Sequence, residues 1–298
     1  MSARKKAYLA LLLNAVLWGI APPLAKLALA HTSPFHWLFY RFLFAAIISL
    51  PLLIWLLLKH RPQLKQILLI IGLELIGTTA VLSTLYLGLE LTTATETALI
   101  SQAAPIFVIL GGILFLRERE EKHEWIGLTL AIAGTTVLTL EPITTNASPW
   151  GNLLILTQDL LWAGYLLAAK RLYQPISKLL VSSISFWVGL VTFFPLTFLE
   201  APASSLFTDL TIPIVLTSSL YMATFGSIIA ATLYIYGQNL IEASEATLFT
   251  YLQPLISLPL AAFWLKDRLT PTTIISGLVI AVGVYLAERR PKKLVASG

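Results

Sequence analysis

Two long stretches of the chain repeat each other at a fixed offset of 149 residues, and this duplication restricts the possible folds more than any other feature. Residues 94–134 and residues 243–283 each hold an apolar run, a proline within that run and a charged turn after it. A second set of matches, at an offset of 144, joins the first and the sixth apolar runs. The duplication predicts two structurally related halves. The matching pairs include Ala94/Ala243, Glu96/Glu245, Pro105/Pro254, Arg119/Arg268, Gly134/Gly283 and, at the shorter offset, Trp18/Trp162 and Lys26/Lys170.

Long apolar runs recur along the chain, in which 57% of the residues are hydrophobic and only 12% are charged. Each run can cross a hydrocarbon core about 30 Å thick, whereas a soluble domain has about 25% charged residues. We therefore predict an all-α integral membrane protein with ten transmembrane helices, arranged as two five-helix repeats of residues 1–145 and 146–298. The predicted spans are 7–29, 34–58, 67–89, 94–116, 125–140, 150–172, 179–199, 212–240, 243–265 and 272–287.

The basic residues predict the orientation of these spans. If both termini are cytoplasmic, most of the 20 Lys and Arg residues lie in cytoplasmic segments, as positive charge does in membrane proteins. Each half has an odd number of spans, so the second half enters the membrane from the opposite side and the repeats have inverted topology. Residues 1–30 resemble a signal peptide, but their apolar stretch exceeds the usual 7–15 residues or so. We expect a retained first span in a multi-pass protein of the inner or plasma membrane.

A series of motifs follows in order along both halves: Trp18-Gly19, Lys26, Arg41, Pro105 with Glu118, and Pro254 with Asp267. Their order and spacing resemble the EamA family of the drug/metabolite transporter superfamily, over nearly the whole chain. Trp162 precedes Ala163 rather than Gly, and the second closing acid is Asp267 rather than Glu. The resemblance implies ten helices, transport of small metabolites such as amino acids, and a central cavity formed by spans one, three, four, six, eight and nine.

Ionisable side chains within the spans are the first candidates for function, because each costs several kcal/mol in lipid unless it faces a cavity or a partner. Asp159 lies near the middle of span six and Glu74 lies within span three. We predict that one of these acids carries a proton. The alternatives are a fixed ion pair with Arg41 or Lys26, or a carboxyl group capped by hydroxyls. Arg41, a buried basic residue in span two, either faces the cavity or extends to the interface.

Polar and aromatic side chains at helical spacing predict a substrate-binding surface, since polar groups in lipid-embedded helices turn inward. For the serines, hydrogen bonding between helices is the alternative. Pro105 and Pro254 are predicted hinges, because proline removes a backbone hydrogen bond within a helix. The predicted substrate-binding residues are Asn14, Trp18, Ser83, Tyr86, Ser101, Gln102, Gln158, Trp162, Tyr165, Tyr234, Gln238, Tyr251 and Gln253.

The sequence has no signature of an enzyme, a cofactor site or a metal site. It has no cysteine, its four histidines lack the spacing of metal ligands, and it has no phosphate-binding loop of the GxxxxGK[ST] type. The positive net charge fits topology signals better than a nucleic-acid partner. We predict a secondary transporter that exports a small organic metabolite, such as an amino acid or another amphipathic or aromatic solute, by alternating access around a midplane cavity. The alternatives are a uniporter for another metabolite class, a membrane scaffold and a membrane-embedded enzyme. The partners are lipid and a small-molecule substrate, and the protein is a monomer or a homodimer.

Overall fold

The computed structural model describes residues 2–104, 107–108, 110–111, 122–140, 148–173, 176–200, 206–238, 240–241, 249, 252–267 and 269–288. Over these ranges the chain is helical and has no strand. The helices are α1 (Ala3–Leu29), α2 (Pro34–His60), α3 (Leu64–Glu74), α4 (Val81–Leu91), α5 (Ala94–Ile100), α6 (Lys122–Leu140), α7 (Pro149–Leu172), α8 (Lys178–Glu200), α9 (Pro213–Tyr221), α10 (Ala230–Gln238), α11 (Gln253–Leu260) and α12 (Pro271–Glu288).

Three π-helical segments continue these helices. The first π segment (Leu75–Ala80) joins α3 to α4, the second (Met222–Ile229) joins α9 to α10, and the third (Ala261–Leu265) follows α11. The first and second π segments lie at matching positions of the repeat, since Gly77 and Gly226 are 149 residues apart. A π turn breaks the regular i→i−4 hydrogen bonding and is frequent at functional sites.

Six helices are long and apolar enough to cross a membrane: Ala3–Leu29, Pro34–His60, Leu64–Leu91, Pro149–Ala169, Lys178–Glu200 and Pro213–Gly237. Shorter apolar helices cover Trp125–Val137, Gln253–Leu265 and Pro271–Gly283. Each overlaps a predicted span, and Gln253–Leu265 covers the second part of the predicted span 243–265. The predicted fourth span, 94–116, begins with α5 and the 3₁₀ turn Ser101–Ala103, and most of its second half is outside the described residues.

Proline and serine place the starts of several helices. Ser33 and Ser148 each precede a proline that occupies the first turn of α2 or α7, where its missing N–H leaves no bond unmade. The Ser148 side chain also accepts a hydrogen bond from the Trp150 amide, at 3.2 Å. At its other end, α2 stops where Arg61 adopts a left-handed conformation with φ 45°.

The first and the sixth predicted spans each pack against a helix of the other predicted half. Helix α1 packs against α10, where Leu11 touches Gly237, so a methyl group at Gly237 would lie 2.5 Å from the Leu11 side chain. Helix α7 packs against α4, and a methyl group at Gly88 would lie 2.7 Å from Ile155. Each of these helices therefore rests on the third span of the other predicted half.

Contacts at one end of the bundle establish the relative directions of α1 and α7. The Lys26 ammonium, in the last turn of α1, donates to the carbonyls of Leu89 (2.7 Å) and Glu90 (2.8 Å) at the C-terminal end of α4. The amide of Ser148, which precedes α7, donates to the Leu91 carbonyl at 3.1 Å. The end of α1 and the start of α7 thus share one end of the bundle, here called the Lys26 end, and the two helices run in opposite directions.

Large apolar side chains cover the outward surface of the bundle. Examples are Leu58 on α2, Val191 and Leu199 on α8 and Phe263 in the third π segment, all more than 60% exposed. Apolar surface this extensive is characteristic of contact with lipid rather than water. Together with the long apolar helices it defines a multi-pass membrane protein.

Candidate functional site

Asp159 lies deep within the bundle and has no hydrogen-bond partner among the described residues. Its residue surface is 1% exposed, and neither carboxyl oxygen has a donor within the described part of the chain. It is on α7 with roughly 15 Å of helix before it and roughly 20 Å after it, so the carboxyl group cannot reach a helix end. One turn away on the same face, Ile155 packs into an apolar cluster with Ile100 and Ile280. Asp159 therefore combines mid-span depth with an absence of described donors.

Glu74 is equally buried, but hydroxyl groups surround its carboxyl group. Oε1 accepts hydrogen bonds from Tyr165 on α7 (2.7 Å) and from Tyr173, directly after α7 (3.1 Å). Oε2 accepts from Thr78 (2.6 Å) in the first π segment and Ser185 (2.8 Å) on α8. Three elements thus meet at one carboxyl group, which is the hydroxyl-capped arrangement that was one of the sequence alternatives.

The Glu74 hydroxyl cage contains one more contact than its hydroxyl protons can supply. The Thr78 and Ser185 hydroxyl oxygens are 2.7 Å apart, and both lie within hydrogen-bond distance of Glu74 Oε2. Each hydroxyl has a single proton to donate, so two protons face three short oxygen contacts. The three oxygens therefore form one compact cluster in which every contact is of hydrogen-bond length.

Arg41 joins three helices through neutral partners. It lies about 10 Å into α2, partly buried, and its Nη1 donates to the Tyr86 hydroxyl on α4 at 3.1 Å. Nη2 (3.1 Å) and Nε (3.4 Å) both donate to the Ser227 hydroxyl in the second π segment. Tyr86 is itself packed against the ring of Trp37, with centroids 4.8 Å apart. The guanidinium group is thus held where α2 and α4 meet the second π segment.

Trp18 binds the same π segment from α1. Its indole Nε1 donates to the Gly226 carbonyl at 2.9 Å, and its ring lies 5.5 Å from that of Tyr234 on α10. One turn earlier on α1, the Asn14 amide donates to the Ala230 carbonyl at 2.9 Å. Backbone carbonyls in and just after a π turn are available to such side chains because regular helical pairing is interrupted.

These contacts bring several predicted site residues together. Trp18 and Arg41 bind consecutive residues, Gly226 and Ser227, and the same contacts bring in Tyr86 and Tyr234. This set, the Arg41 group, consists of Trp18, Arg41, Tyr86, Ser227 and Tyr234. It draws on α1, α2 and α4 from one predicted half and on the second π segment and α10 from the other. Asp159 and Glu74 belong to separate surroundings.

The remaining predicted residues are distributed over other elements. Trp162 stacks on Tyr165 with ring centroids 5.3 Å apart, and Gln158 is buried on α7. Ser83 is partly buried on α4, and Gln102, beside Ser101, donates to the Ala98 carbonyl. Gln253 opens α11 with Pro254 in its first turn, where proline removes no helical bond. Pro105, Tyr251 and the side chain of Gln238 lie outside the described residues.

A further buried polar group was not among the predicted site residues. Glu96 on α5 accepts hydrogen bonds from Thr92 (3.0 Å) and from the Asn152 amide on α7 (2.7 Å), and Thr92 also bonds Asn152. In the sequence Glu96 served only to mark the repeat. Its position in the first turn of a short helix gave no sign of burial, because acids in first turns are usually exposed caps.

Several contacts close the Lys26 end of the bundle. The Asp209 carboxylate, in the connection before α9, accepts a hydrogen bond from Thr32 and pairs with His36 Nδ1 at 2.9 Å. Partial burial raises the pKa of Asp209, but the hydrogen bonds from Thr32 and His36 outweigh it, so this pKa lies below its ordinary value. Glu200, at the end of α8, accepts from the Phe35 amide at 2.8 Å.

The fold and these groups define the class of protein. Apolar helices of membrane-spanning length enclose carboxyl groups and a guanidinium group, and such intramembrane groups characterise proteins that move solutes or protons. The chain belongs to the EamA-like transporter family, because the model of that family matches residues 5–140 and again residues 149–288. This match confirms the resemblance noted in the sequence.

Individual relatives are also transporters by name. An uncharacterized transporter of Archaeoglobus fulgidus is 24% identical and covers 96% of this chain and 98% of its own. The uncharacterized transporter YetK of Bacillus subtilis is 26% identical, covering 96% and 88%. The uncharacterized inner membrane transporter YedA of Escherichia coli K12 is 25% identical, covering 93% and 90%. A solved crystal structure with 17% identity and a TM-score of 0.62 covers 96% of this chain and 97% of that chain, and has the same fold.

Proposed function

We propose that the protein is a proton-coupled secondary transporter that exports a small organic metabolite by alternating access between two inverted five-helix halves, residues 1–145 and 146–298. The opposite directions of α1 and α7 support the inverted arrangement, as does the separate match of the family to two segments. Many transporters with inverted repeats bind their substrate between the repeats. The positive charge of the predicted cytoplasmic segments supports cytoplasmic termini in an inner or plasma membrane.

The surroundings of Asp159 carry the proposal of proton coupling. An ionised carboxylate without a donor in a low-dielectric interior costs several kcal/mol at least. In this conformation Asp159 therefore holds a proton. A rearrangement of the halves that admitted water to Asp159 would allow the proton to leave. The protonated and ionised states of Asp159 would then belong to different conformations. That linkage is what a coupled transporter needs.

The Glu74 carboxyl group has a different proposed role. Both of its carboxyl oxygens accept hydrogen bonds, from Tyr165, Tyr173, Thr78 and Ser185, so it joins the elements that carry these hydroxyls. We assign it to holding α7 and α8 against the first π segment. The π segments themselves are proposed flexible points, together with Pro105 and Pro254.

The aromatic side chains support a solute with an apolar or aromatic body. Trp18 and Tyr234 face each other at the meeting of the halves, and Trp162 and Tyr165 form a second stack on α7. Aromatic rings bind such solutes by stacking and bind cationic groups over their faces. An amino acid or a related amphipathic metabolite offers both an apolar body for stacking and a cationic group.

Proteoliposomes test the coupling directly. Purified wild-type protein, Asp159→Asn and Glu74→Gln would be reconstituted, and flux of labelled amino acids and amines would be followed with and without an imposed pH gradient. We expect the wild type to accumulate its solute against a gradient. Asp159→Asn should lose pH-driven accumulation by about 100-fold, within the range of a lost essential proton-transfer group, while it keeps solute exchange without a gradient.

Asp209→Asn is the matched control, since it makes the same change in the connection before α9, and it should retain pH-driven accumulation. Equal accumulation by Asp159→Asn and the wild type would support the uniport alternative. Absence of flux in every sample, with folding verified, would support a scaffold.

A further inference from the structure

The hydrogen bonds of Arg41 leave part of its guanidinium group unused. A guanidinium group has five N–H donors. Three are directed at the hydroxyl oxygens of Tyr86 and Ser227. One N–H on Nη1 and one on Nη2 therefore have no acceptor among the described residues. Two N–H groups on neighbouring nitrogens of one planar group match the two oxygens of a carboxylate.

The charge of Arg41 is also uncompensated. Within the described ranges no carboxylate lies in ion-pair distance of its guanidinium group, and both of its partners are neutral hydroxyls. The two acids that the sequence suggested as ion-pair partners are engaged elsewhere: Glu74 with its hydroxyl cage, and Asp159 within the apolar face of α7. A partly buried cation within a membrane-spanning helix is costly unless an anion or a cavity joins it.

The position of Arg41 is suited to a transported ligand. The guanidinium group and the Trp18 indole bind consecutive residues of the second π segment, so an anion on Arg41 would lie near an aromatic side chain from α1. The elements that hold this site come from both predicted halves. A ligand held there would therefore contact both halves at once.

We propose that Arg41 binds the carboxylate of the transported solute, whose apolar or aromatic body packs against Trp18 and Tyr234. This proposal rests on the proposed transport function and names the substrate class, a small monocarboxylate. A single guanidinium group balances one negative charge. The Lys26 ammonium, which could add a second positive charge for a phosphate, is bonded to the carbonyls of Leu89 and Glu90.

A structural role for Arg41 is the competing explanation. In that case the guanidinium group only ties α2 to α4 and the second π segment, and its hydrogen bonds to Tyr86 and Ser227 are its full function. Both explanations predict that loss of Arg41 weakens the fold somewhat. Only the proposed binding role predicts a difference between ligands that differ in one charged group.

Paired ligands test the proposal on the unmodified full-length protein. The pairs would be phenylacetate and phenylacetamide, 3-phenylpropionate and its amide, L-phenylalanine and L-phenylalaninamide, and L-leucine and L-leucinamide. We expect at least one acid to raise the unfolding temperature of the purified protein in a concentration-dependent way, and its amide to bind at least about 30-fold more weakly, as for loss of a buried charged partner.

Variants then assign the effect to Arg41. Arg41→Gln should bind the active acid about 100-fold more weakly and should no longer distinguish it from its amide, whereas Arg41→Lys should keep part of the preference. Lys59→Gln removes the same charge from the exposed end of α2 and should bind the acid as the wild type does. The unfolding temperature without ligand shows whether each variant is folded.

The proposal is overturned if no acid stabilises the wild type, if acids and amides stabilise it equally, or if Arg41→Gln keeps the preference. Flux separates this failure from failure of the transport function. Gradient-driven flux of amides or amines without acid binding would leave the transporter intact and remove the carboxylate site. Arg41-dependent acid binding without flux in liposomes would support the site and contradict transport.

Discussion

The two predicted halves cross at two equivalent points that differ in charge. At the Arg41 crossing, Arg41 on α2 bonds Ser227 in the second π segment. At the Glu74 crossing, Ser185 on α8 bonds Thr78 in the first π segment at 2.7 Å. Arg41 and Ser185 are 144 residues apart, and Thr78 and Ser227 are 149 residues apart, so the two contacts are copies of each other.

The charged residues, and with them the tyrosines that bond them, break this equivalence. The Glu74 crossing has a carboxyl group where the Arg41 crossing has Ala223, and it has Ser185 where the Arg41 crossing has a guanidinium group. At the Glu74 crossing the acid is saturated by four hydroxyls, whereas at the Arg41 crossing two N–H donors remain. The repeat thus supplies two similar positions. At one the side chains satisfy each other's hydrogen bonds, and at the other two N–H donors have no acceptor among the described residues.

The largest expected effect is on stability at the Glu74 crossing. Glu74→Leu would leave four hydroxyls without their shared acceptor and should lower the unfolding free energy by about 3 kcal/mol, since unsatisfied buried polar groups cost about 1–3 kcal/mol each and some re-pair. Glu74→Gln retains an acceptor and a donor for the cluster and should cost about 1 kcal/mol. Thermal or denaturant unfolding of the purified variants measures both.

Arg41→Leu provides the matched measurement at the Arg41 crossing. It removes the N–H donors to two hydroxyl oxygens, whose own protons can still be donated, so the expected loss is about 1 kcal/mol. A loss as large as that of Glu74→Leu would mean that both crossings are structural. The contrast between a saturated and an open position would then disappear.

The paired glycines offer a smaller and more local comparison. A methyl group at Gly77 would lie 2.2 Å from the Tyr165 ring, whereas one at Gly226 would meet only the flexible end of Met222, at 2.9 Å. Gly77→Ala should displace Tyr165 from Glu74 and cost about 1–3 kcal/mol, the usual range for overpacking. Gly226→Ala should cost less than about 1 kcal/mol. Unfolding measured side by side would contradict this if the two variants were equally stable.

Hydropathy and the repeat allowed most helices of the fold to be predicted. The expected span 34–58 is the helix Pro34–His60, and the expected span 150–172 is the helix Pro149–Leu172. Membrane spans are the most readable feature of a sequence because every backbone group must be bonded within the helix. The π segments were not predicted, since a wide turn within an apolar run leaves hydropathy unchanged.

The first π segment also separates two polar side chains of span three. In a regular helix Thr79 and Tyr86 would share a face, but the first π segment ends between them at Ala80. Thr79 bonds Thr192 on α8, whereas Tyr86 bonds Arg41 on α2. Register shifts of this kind depend on tertiary contacts, which composition and spacing do not encode.

The sequence predicted which ionisable residues matter but not which side chains bond them. Asp159, Glu74 and Arg41 stood out because charge is rare in apolar helices. The hydroxyl cage around Glu74 did not, because Ser, Thr and Tyr are common in such helices and their contacts join distant segments. The repeat offsets held an unused signal: they pair Arg41 with Ser185, and Ser227 with Thr78, so a contact known at one crossing predicts its copy at the other.

The smallest expected effect concerns a further difference between the halves, at the Lys26 end. The connection before α9 carries Asp209, whereas the corresponding connection 59–66 has no acid. Because the pKa of Asp209 is lowered by Thr32 and His36, its contribution to stability is complete above the ordinary Asp pKa. That contribution is lost as the pH falls through the lowered value, below about pH 4.

Asp209→Asn should therefore be less stable than the wild type at pH 7, by no more than about 1 kcal/mol because the pair is partly solvated. The difference should shrink as the pH drops below about 4, where the wild-type carboxylate becomes protonated. Unfolding temperatures of both proteins between pH 7 and pH 3 would measure it. A difference that stayed constant over this range would show that the negative charge of Asp209 contributes nothing to stability.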